Sequence, residues 1–263
     1  MIKFSIIINT HNQTEYIHDA INSCLKQTYK NYEIILVDSS RKKINLNKYY
    51  NNKKKINYIH SYSKYSQPEL NQMNKIILGY NKSRGDYILF LDGDDYFHPK
   101  KLFELNKFIN NKNIICNQDL PIIFNKNIKK KLEKKRYKNK FFIRYILNDW
   151  PQIYGTSSIV IKKEFLTKYL KKINPLDWKY LAIDAQLILF SNSCMAQLNY
   201  LEGLTFKRLH KTNLGSSYMN IFKKKFWARR YMQFLYCEHL TNKKKFSIDY
   251  LITKIIYFTL KIL

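Results

Sequence analysis

The sequence predicts an α/β fold: a Rossmann-like, mostly parallel sheet with flanking helices, followed by a helical C-terminal tail. Two observations carry this. Short runs of β-branched and aromatic residues alternate with segments whose apolar residues recur at helical spacing, and each run stops at a cluster of polar turn formers. The first strand, helix and second strand fall within the first 40 residues, the size of a βαβ unit with parallel strands and a right-handed crossover.

In chain order, Phe4 to Ile8 reads as a buried strand ending in Asn9-Thr10-His11-Asn12. A helix follows, with Thr14 as its cap, because Tyr16, Ile17, Ala20, Ile21, Cys24 and Leu25 keep helical spacing. Tyr32 to Val37 is a second buried strand and stops at Asp38-Ser39-Ser40. A strand at Ile56 to His60, a helix around Glu69 to Ser83 and a strand from Asp86 to Leu91 continue the alternation, the last running straight into Asp92-Gly93-Asp94-Asp95. A helix past Pro99 reaches about Ile109. The Lys-rich stretch Lys126 to Lys140 interrupts the pattern and reads as a solvated face. A strand near Ser157 to Ile161 and a helix near Leu181 to Phe190 complete one α/β unit over residues 1–219, in halves 1–110 and 111–219, and the basic tail 220–263 is mostly helical.

The chain has 263 residues, 45% of them hydrophobic, which excludes a disordered basic polypeptide. Its 47 Lys+Arg against 19 Asp+Glu give a net charge of +28. The 40 Lys to 7 Arg, with abundant Asn, Ile, Tyr and Phe, match an AT-rich coding sequence, and Lys is the weaker choice for bidentate phosphate or base recognition. The charge is uneven: −1 over residues 1–40, +12 over 125–172 and +8 over 220–263. No nucleic-acid partner is expected from this. An anionic acceptor or membrane surface is a better match for the second half and the tail.

Cys24, Cys116, Cys194 and Cys237 lie far apart without C-x-x-C spacing, so neither a zinc site nor a disulfide framework is expected. No cationic leader with an apolar stretch follows Met1, and no uncharged apolar run is long enough to span a bilayer. The expected location is cytoplasmic, either free or peripheral on the inner face of the membrane.

In an open α/β sheet, ligands bind outside the carboxyl ends of the strands. Those ends place Thr10 to Asn12, Asp38 to Ser40 and Asp92 to Asp95 along one rim. Three acids in four positions repel one another, and a hard divalent cation such as Mg²⁺ or Mn²⁺ relieves that repulsion through oxygen ligands. Gly93 between them is expected to let a diphosphate approach the backbone. An ordinary acidic turn is the plainer alternative for Asp-Gly-Asp-Asp alone.

The ordered set Ser5-Ile-Ile-Ile-Asn-Thr-His-Asn12, Ala20-Ile-Asn-Ser-Cys-Leu-Lys-Gln-Thr-Tyr29, Glu33-Ile-Ile-Leu-Val-Asp-Ser39 and Gly85-Asp-Tyr-Ile-Leu-Phe-Leu-Asp-Gly-Asp-Asp95 resembles the family 2 glycosyltransferases with the GT-A fold. The resemblance covers residues 1 to about 110 and makes this the nucleotide-sugar-binding half. It implies that Thr10 and Asn12 touch the nucleoside, that Asp38 contacts the base, usually uracil, and that Asp92 and Asp94 form the D-x-D motif. Asp94 would ligate Mn²⁺ or Mg²⁺, and Asp92 would serve the ribose or the metal. Asn9 stands where the family usually has Pro. The family's Arg-Asn-x-Gly before the D-x-D strand has Ile76-Ile77 in register with Gly79, while Met73-Asn74-Lys75 lies three residues early, which leaves open the side chain that replaces the Arg.

The same resemblance implies a general base near a helix start downstream of the D-x-D. Asp184, in Trp178-Lys-Tyr-Leu-Ala-Ile-Asp-Ala-Gln-Leu, matches that place, with Asp177 and Asp149 as alternatives and a dipole-stabilising carboxylate as the plain reading. Phe206-Lys-Arg-Leu-His210 is similar to the family's aromatic-Arg-x-His segment, which implies that Arg208 and His210 close over the diphosphate and that His210 completes the metal shell. Trp150, Tyr154 and Trp178 are either a sugar platform or core aromatics. The activity implied is a metal-dependent inverting transfer from a UDP-sugar to a glycan or glycolipid acceptor. A non-catalytic basic protein for nucleic acid or anionic glycolipid is the alternative, and a sugar nucleotidyltransferase is set aside because Asn9 to Thr14 holds no glycine.

Overall fold

The computed structural model describes residues 1–46, 55–112, 115–125, 129–132, 150–195, 198–210, 221–244 and 247–262. The elements are β1 (Phe4–Thr10), α1 (Ile17–Leu25), β2 (Tyr32–Asp38), β3 (Ile56–His60), α2 (Pro68–Lys82), β4 (Tyr87–Asp92), β5 (Tyr96–Phe97), α3 (Lys101–Lys112), β6 (Cys116–Phe124) and β7 (Lys129–Lys131). They continue with β8 (Ile159–Lys162), α4 (Lys163–Lys172), α5 (Ile183–Ser193), β9 (Leu198–Arg208), α6 (Lys224–Thr241) and α7 (Ile248–Ile262).

One mixed sheet runs in the order β3-β2-β1-β4-β8-β6-β9-β5, with β7 paired to β6. The four strands of the first half are parallel. Beyond them β8 is antiparallel to both β4 and β6, β6 is parallel to β9, and β5 is antiparallel to β9. The strand run is buried on both faces, as parallel strands covered by helices must be. Ile7, Ile35, Ile88 and Phe90 point to a core shared with α2, α4, α5 and α6. Their neighbours Ile6, Ile8, Ile34, Leu36 and Leu89 point to the opposite core, under α1 and α3.

Two local departures have backbone causes. Thr14 does not cap α1: the Gln13 carbonyl accepts from both Tyr16 N and Ile17 N, so a backbone turn starts the helix and Tyr16 takes the cap position. Gly85 precedes β4 because a Cβ there would lie 2.6 Å from Ser5 N and 2.8 Å from the Lys3 carbonyl.

The tail is joined to the α/β unit. The Tyr236 hydroxyl donates to the Gln186 carbonyl at 3.1 Å, Trp178 meets Tyr236 edge-on at 4.8 Å, and Trp150 meets Phe234 at 4.9 Å. Trp150 and Trp178 thus pack on α6, in line with the core-aromatic alternative. Most of Lys126 to Lys140 lies outside the described residues, as do Asp149 and the segment after His210; Lys129–Lys131 form the exposed β7.

Candidate active site

The register of the parallel strands builds the rim. Thr10 pairs with Asp38 and Asn9 with Asp92, so the three strand ends finish side by side. The strand order reverses at β1, between β2 and β4, which is where an open α/β sheet forms its ligand crevice.

Asp94 is the centre. Its Oδ2 is 2.7 Å from His210 Nε2, and its carbonyl accepts from Arg208 Nε at 3.0 Å. His210 stacks on Tyr16, ring centroids 5.2 Å apart. The Arg208 guanidinium lies 4.7 Å from the Tyr16 ring and 4.8 Å from Phe124, and its NH2 donates to Asp19 Oδ2 at 2.7 Å. The end of β9 is thereby clasped to α1 across the acidic turn. The expected grouping of Asp94, Arg208 and His210 is present.

The other two acids of the turn are held from within. Asp92 Oδ1 accepts from Asn9 Nδ2 at 2.8 Å and Gln72 Nε2 at 2.7 Å. Burial first, and the Asp94 charge second, raise its carboxyl to about 6. Asn9 thus supplies a donor to the Asp92 carboxylate. Asp95 is buried, accepts from Arg208 N and the Ser157 hydroxyl, and is pushed well above the ordinary carboxylate range by burial and its two acidic neighbours. Gly93 is required by local packing as well: a Cβ would meet Gln13 Oε1 and Thr10 Oγ1 at 2.6 Å. Its space is filled by β1's own end.

Thr10 is buried with its hydroxyl 3.2 Å from Gln13 Oε1. Asn12 is exposed in the left-handed region, φ 52°, with its N–H donating to Ser40 Oγ and its side-chain carbonyl accepting from Arg41 N. Asp38 is fully buried beneath the rim, accepting from Ser40 N and the Tyr58 hydroxyl, each at 2.8 Å. Burial and that carboxylate push the Tyr58 phenol up.

Two residues escaped the sequence reading. Lys75 is buried, with Nζ 3.0 Å from the Thr10 carbonyl and 3.2 Å from Ser39 Oγ. Burial lowers its pKa to about 8, against the opposing pull of Asp92 and Asp38. It puts a cation under the strand ends from the Met73-Asn74-Lys75 triplet, one residue before Ile76, the position the family register indicates for Arg. Gln72 reaches the rim from the same helix. The signal available was their spacing: Gln72, Lys75 and Gly79 lie on neighbouring turns of α2.

Asp184 opens α5, half-buried, with Oδ1 2.7 Å from the following N–H. Ile183 and Ala185 on either side are in the core with Met73, the neighbour of Gln72. No hydrogen bond or ion pair joins Asp184 to the acidic turn among the described residues. Asp177 bonds Asn174 Nδ2 in a separate short helical turn.

No three His, Cys, Asp or Glu side chains gather into a metal cluster among the described residues. The Asp94–His210 pair nevertheless fits a divalent ion that takes its remaining ligands from substrate phosphate and water, as Mg²⁺ and Mn²⁺ do.

A mixed nine-strand sheet with an acidic strand-end turn clasped by Arg and His defines a GT-A glycosyltransferase fold. The sequence pattern of glycosyl transferase family 2 matches residues 5–170, and the chain belongs to that family. An uncharacterized glycosyltransferase of Methanocaldococcus jannaschii is 25% identical over 97% of this chain and 86% of its own length. One from Rickettsia bellii is 37% identical over 43% of this chain and only 16% of its own length. Staphylococcus aureus TarP, a poly(ribitol-phosphate) beta-N-acetylglucosaminyltransferase, is 31% identical over 41% of this chain and 33% of its own. The crystal structure of S. aureus TarS 1–349 in complex with UDP-GlcNAc superposes with a TM-score of 0.60 at 15% identity, covering 99% of this chain and 76% of that one. At that identity the superposition speaks to the fold.

Proposed function

We propose that the chain is a metal-dependent inverting glycosyltransferase that moves a hexosyl or N-acetylhexosaminyl group from a UDP-sugar to a glycan or glycolipid acceptor in cell-surface polysaccharide or lipooligosaccharide synthesis. The observation that carries this is the meeting of Asp94, His210 and Arg208 at the rim where β1, β2 and β4 end. The UDP-GlcNAc bound by TarS supports the donor class.

The nucleoside lies along Thr10 and Asn12, and its base reaches Asp38 by displacing the Tyr58 hydroxyl. Asp94 and His210 hold Mn²⁺ or Mg²⁺, which when bound supplies Lewis-acid stabilisation of charge on the leaving diphosphate. Arg208 exchanges Asp19 for a phosphate oxygen, a charge-assisted pairing suited to guanidinium. Asp184 takes the proton from the acceptor hydroxyl as its oxygen bonds to the anomeric carbon and the sugar–phosphate bond breaks on the opposite face. Work is placed at the cytoplasmic side, with the basic tail meeting an anionic leaflet.

Asp94→Asn and Asp184→Asn are both expected to abolish transfer, while only Asp94→Asn weakens donor binding. Calorimetric titration of UDP-sugar together with product assay checks this; full transfer by Asp184→Asn would remove the base assignment. A non-catalytic basic binder would show no donor turnover and would ignore EDTA.

A further inference from the structure

We propose that one stripe of α7 is the surface that docks on an anionic lipid leaflet. The inference rests on the proposal that the tail meets a membrane, and it names the face and the residues. α7 has two distinct sides. One side packs on α6: Arg230 makes a bidentate pair with Asp249 at 2.7 Å, its Nε reaches Thr253 at 3.2 Å, and Tyr231 stacks on Tyr257 at 5.0 Å. The other side carries Ile248, Leu251, Ile252 and Ile255, at 53, 37, 43 and 64% exposure, bordered by Phe258, which is 42% exposed and meets Tyr231 of α6 edge-on at 5.7 Å. Their spacing of three and four residues makes one continuous stripe along the helix.

Four large aliphatic side chains exposed along one helix face mark a binding surface. The charge around them selects the partner. Lys254 is exposed at the edge of the stripe, and Lys243 and Lys244 are exposed just before the helix. The tail's two acids are Glu238 and Asp249, and Asp249 is consumed by Arg230. A second copy of this face would bring the same lysines against each other. An anionic headgroup layer accepts the stripe in its acyl boundary and the ammonium groups at its surface. The geometry is interfacial: fifteen residues make a helix of about 22 Å, short of the roughly 30 Å hydrocarbon core. Among the described residues no helix is long and apolar enough to cross a membrane.

The test is flotation of the full chain with vesicles of phosphatidylcholine containing phosphatidylglycerol, against pure phosphatidylcholine. Binding is expected with the anionic vesicles and to fall with added salt. Ile255→Glu is expected to cut the bound fraction by about tenfold or more, and Lys254→Glu by about fivefold for each unit of charge lost. Both changes are at exposed positions, so donor hydrolysis and unfolding midpoint should stay at the wild-type level. Equal binding by wild type and Ile255→Glu overturns the proposal. So does equal binding to neutral vesicles, or a concentration-dependent dimer without lipid that Ile255→Glu abolishes. Loss of donor turnover with intact flotation would instead count against the glycosyltransferase reading alone.

Discussion

Asp92, Asp94 and Asp95 are three carboxylates of one turn with three different environments. Asp95 is tied to Ser157 and the Arg208 backbone and serves the turn's shape; Asp94 alone meets His210. Replacing Asp95 by Asn is therefore expected to lower stability, whereas Asp94→Asn leaves stability near wild type and weakens donor binding. Lys75 gives a signed pH effect. Its folded pKa of about 8 lies below the roughly 10.4 of an unfolded Lys, so between these values the unfolded chain binds more protons and stability rises with pH. Urea unfolding at pH 7.5 and pH 10 should show wild type gaining relative to Lys75→Met. No change in that difference would mean that Lys75 is not desolvated. Asp19 holds Arg208 in the free protein, and Asp19→Asn should alter KM for the donor by a few-fold while leaving kcat near wild type, measured by steady-state kinetics.

At the scale of elements, β1, β2, β4 and α1 to α3 were legible because their apolar periods are clean and their ends carry turn residues. That the residues on those ends share one rim was legible for the same reason. β6 was not, and the cause is chemical. Its Cys-Asn-Gln-Asp-Leu-Pro start buries Asn117, Gln118 and Asp119, so the hydrophobic signature of a central strand is missing. Asp119 is acceptable there because Lys101, buried on α3, donates to it at 3.4 Å and the Thr205 hydroxyl donates at 2.7 Å. Pro121 lies where the β6–β9 register shifts, a bulge that tolerates the missing N–H. Lys75 was invisible for a related reason: its sequence says surface, and only the helix register turns it inward. Gly93→Ala should displace Thr10 or Gln13 and lower both the unfolding midpoint and donor affinity; an unchanged affinity would show that the turn absorbs a methyl group without moving its carboxylates.

For the whole molecule, the Lys101–Asp119 pair ties α3 to the second half of the sheet, since Lys101 also donates to the Ser157 carbonyl at 3.2 Å. Burial lowers the lysine and raises the aspartic acid, each partly restored by the other. Lys101→Met alone leaves a buried carboxylate unpaired and should cost about 3–5 kcal/mol, with much of it recovered in Lys101→Met/Asp119→Leu by denaturant titration. The net charge of +28 is uneven: residues 1–40 carry −1, while 125–172 carry +12 and 220–263 carry +8. The most direct measurement is release of UDP from a panel of UDP-sugars, with Mn²⁺ or EDTA, by wild type and Asp94→Asn. Turnover of one donor in preference to the others, lost with EDTA and lost in Asp94→Asn, is the predicted result. UDP release that persists in EDTA and in Asp94→Asn would contradict a metal-assisted diphosphate departure at this turn.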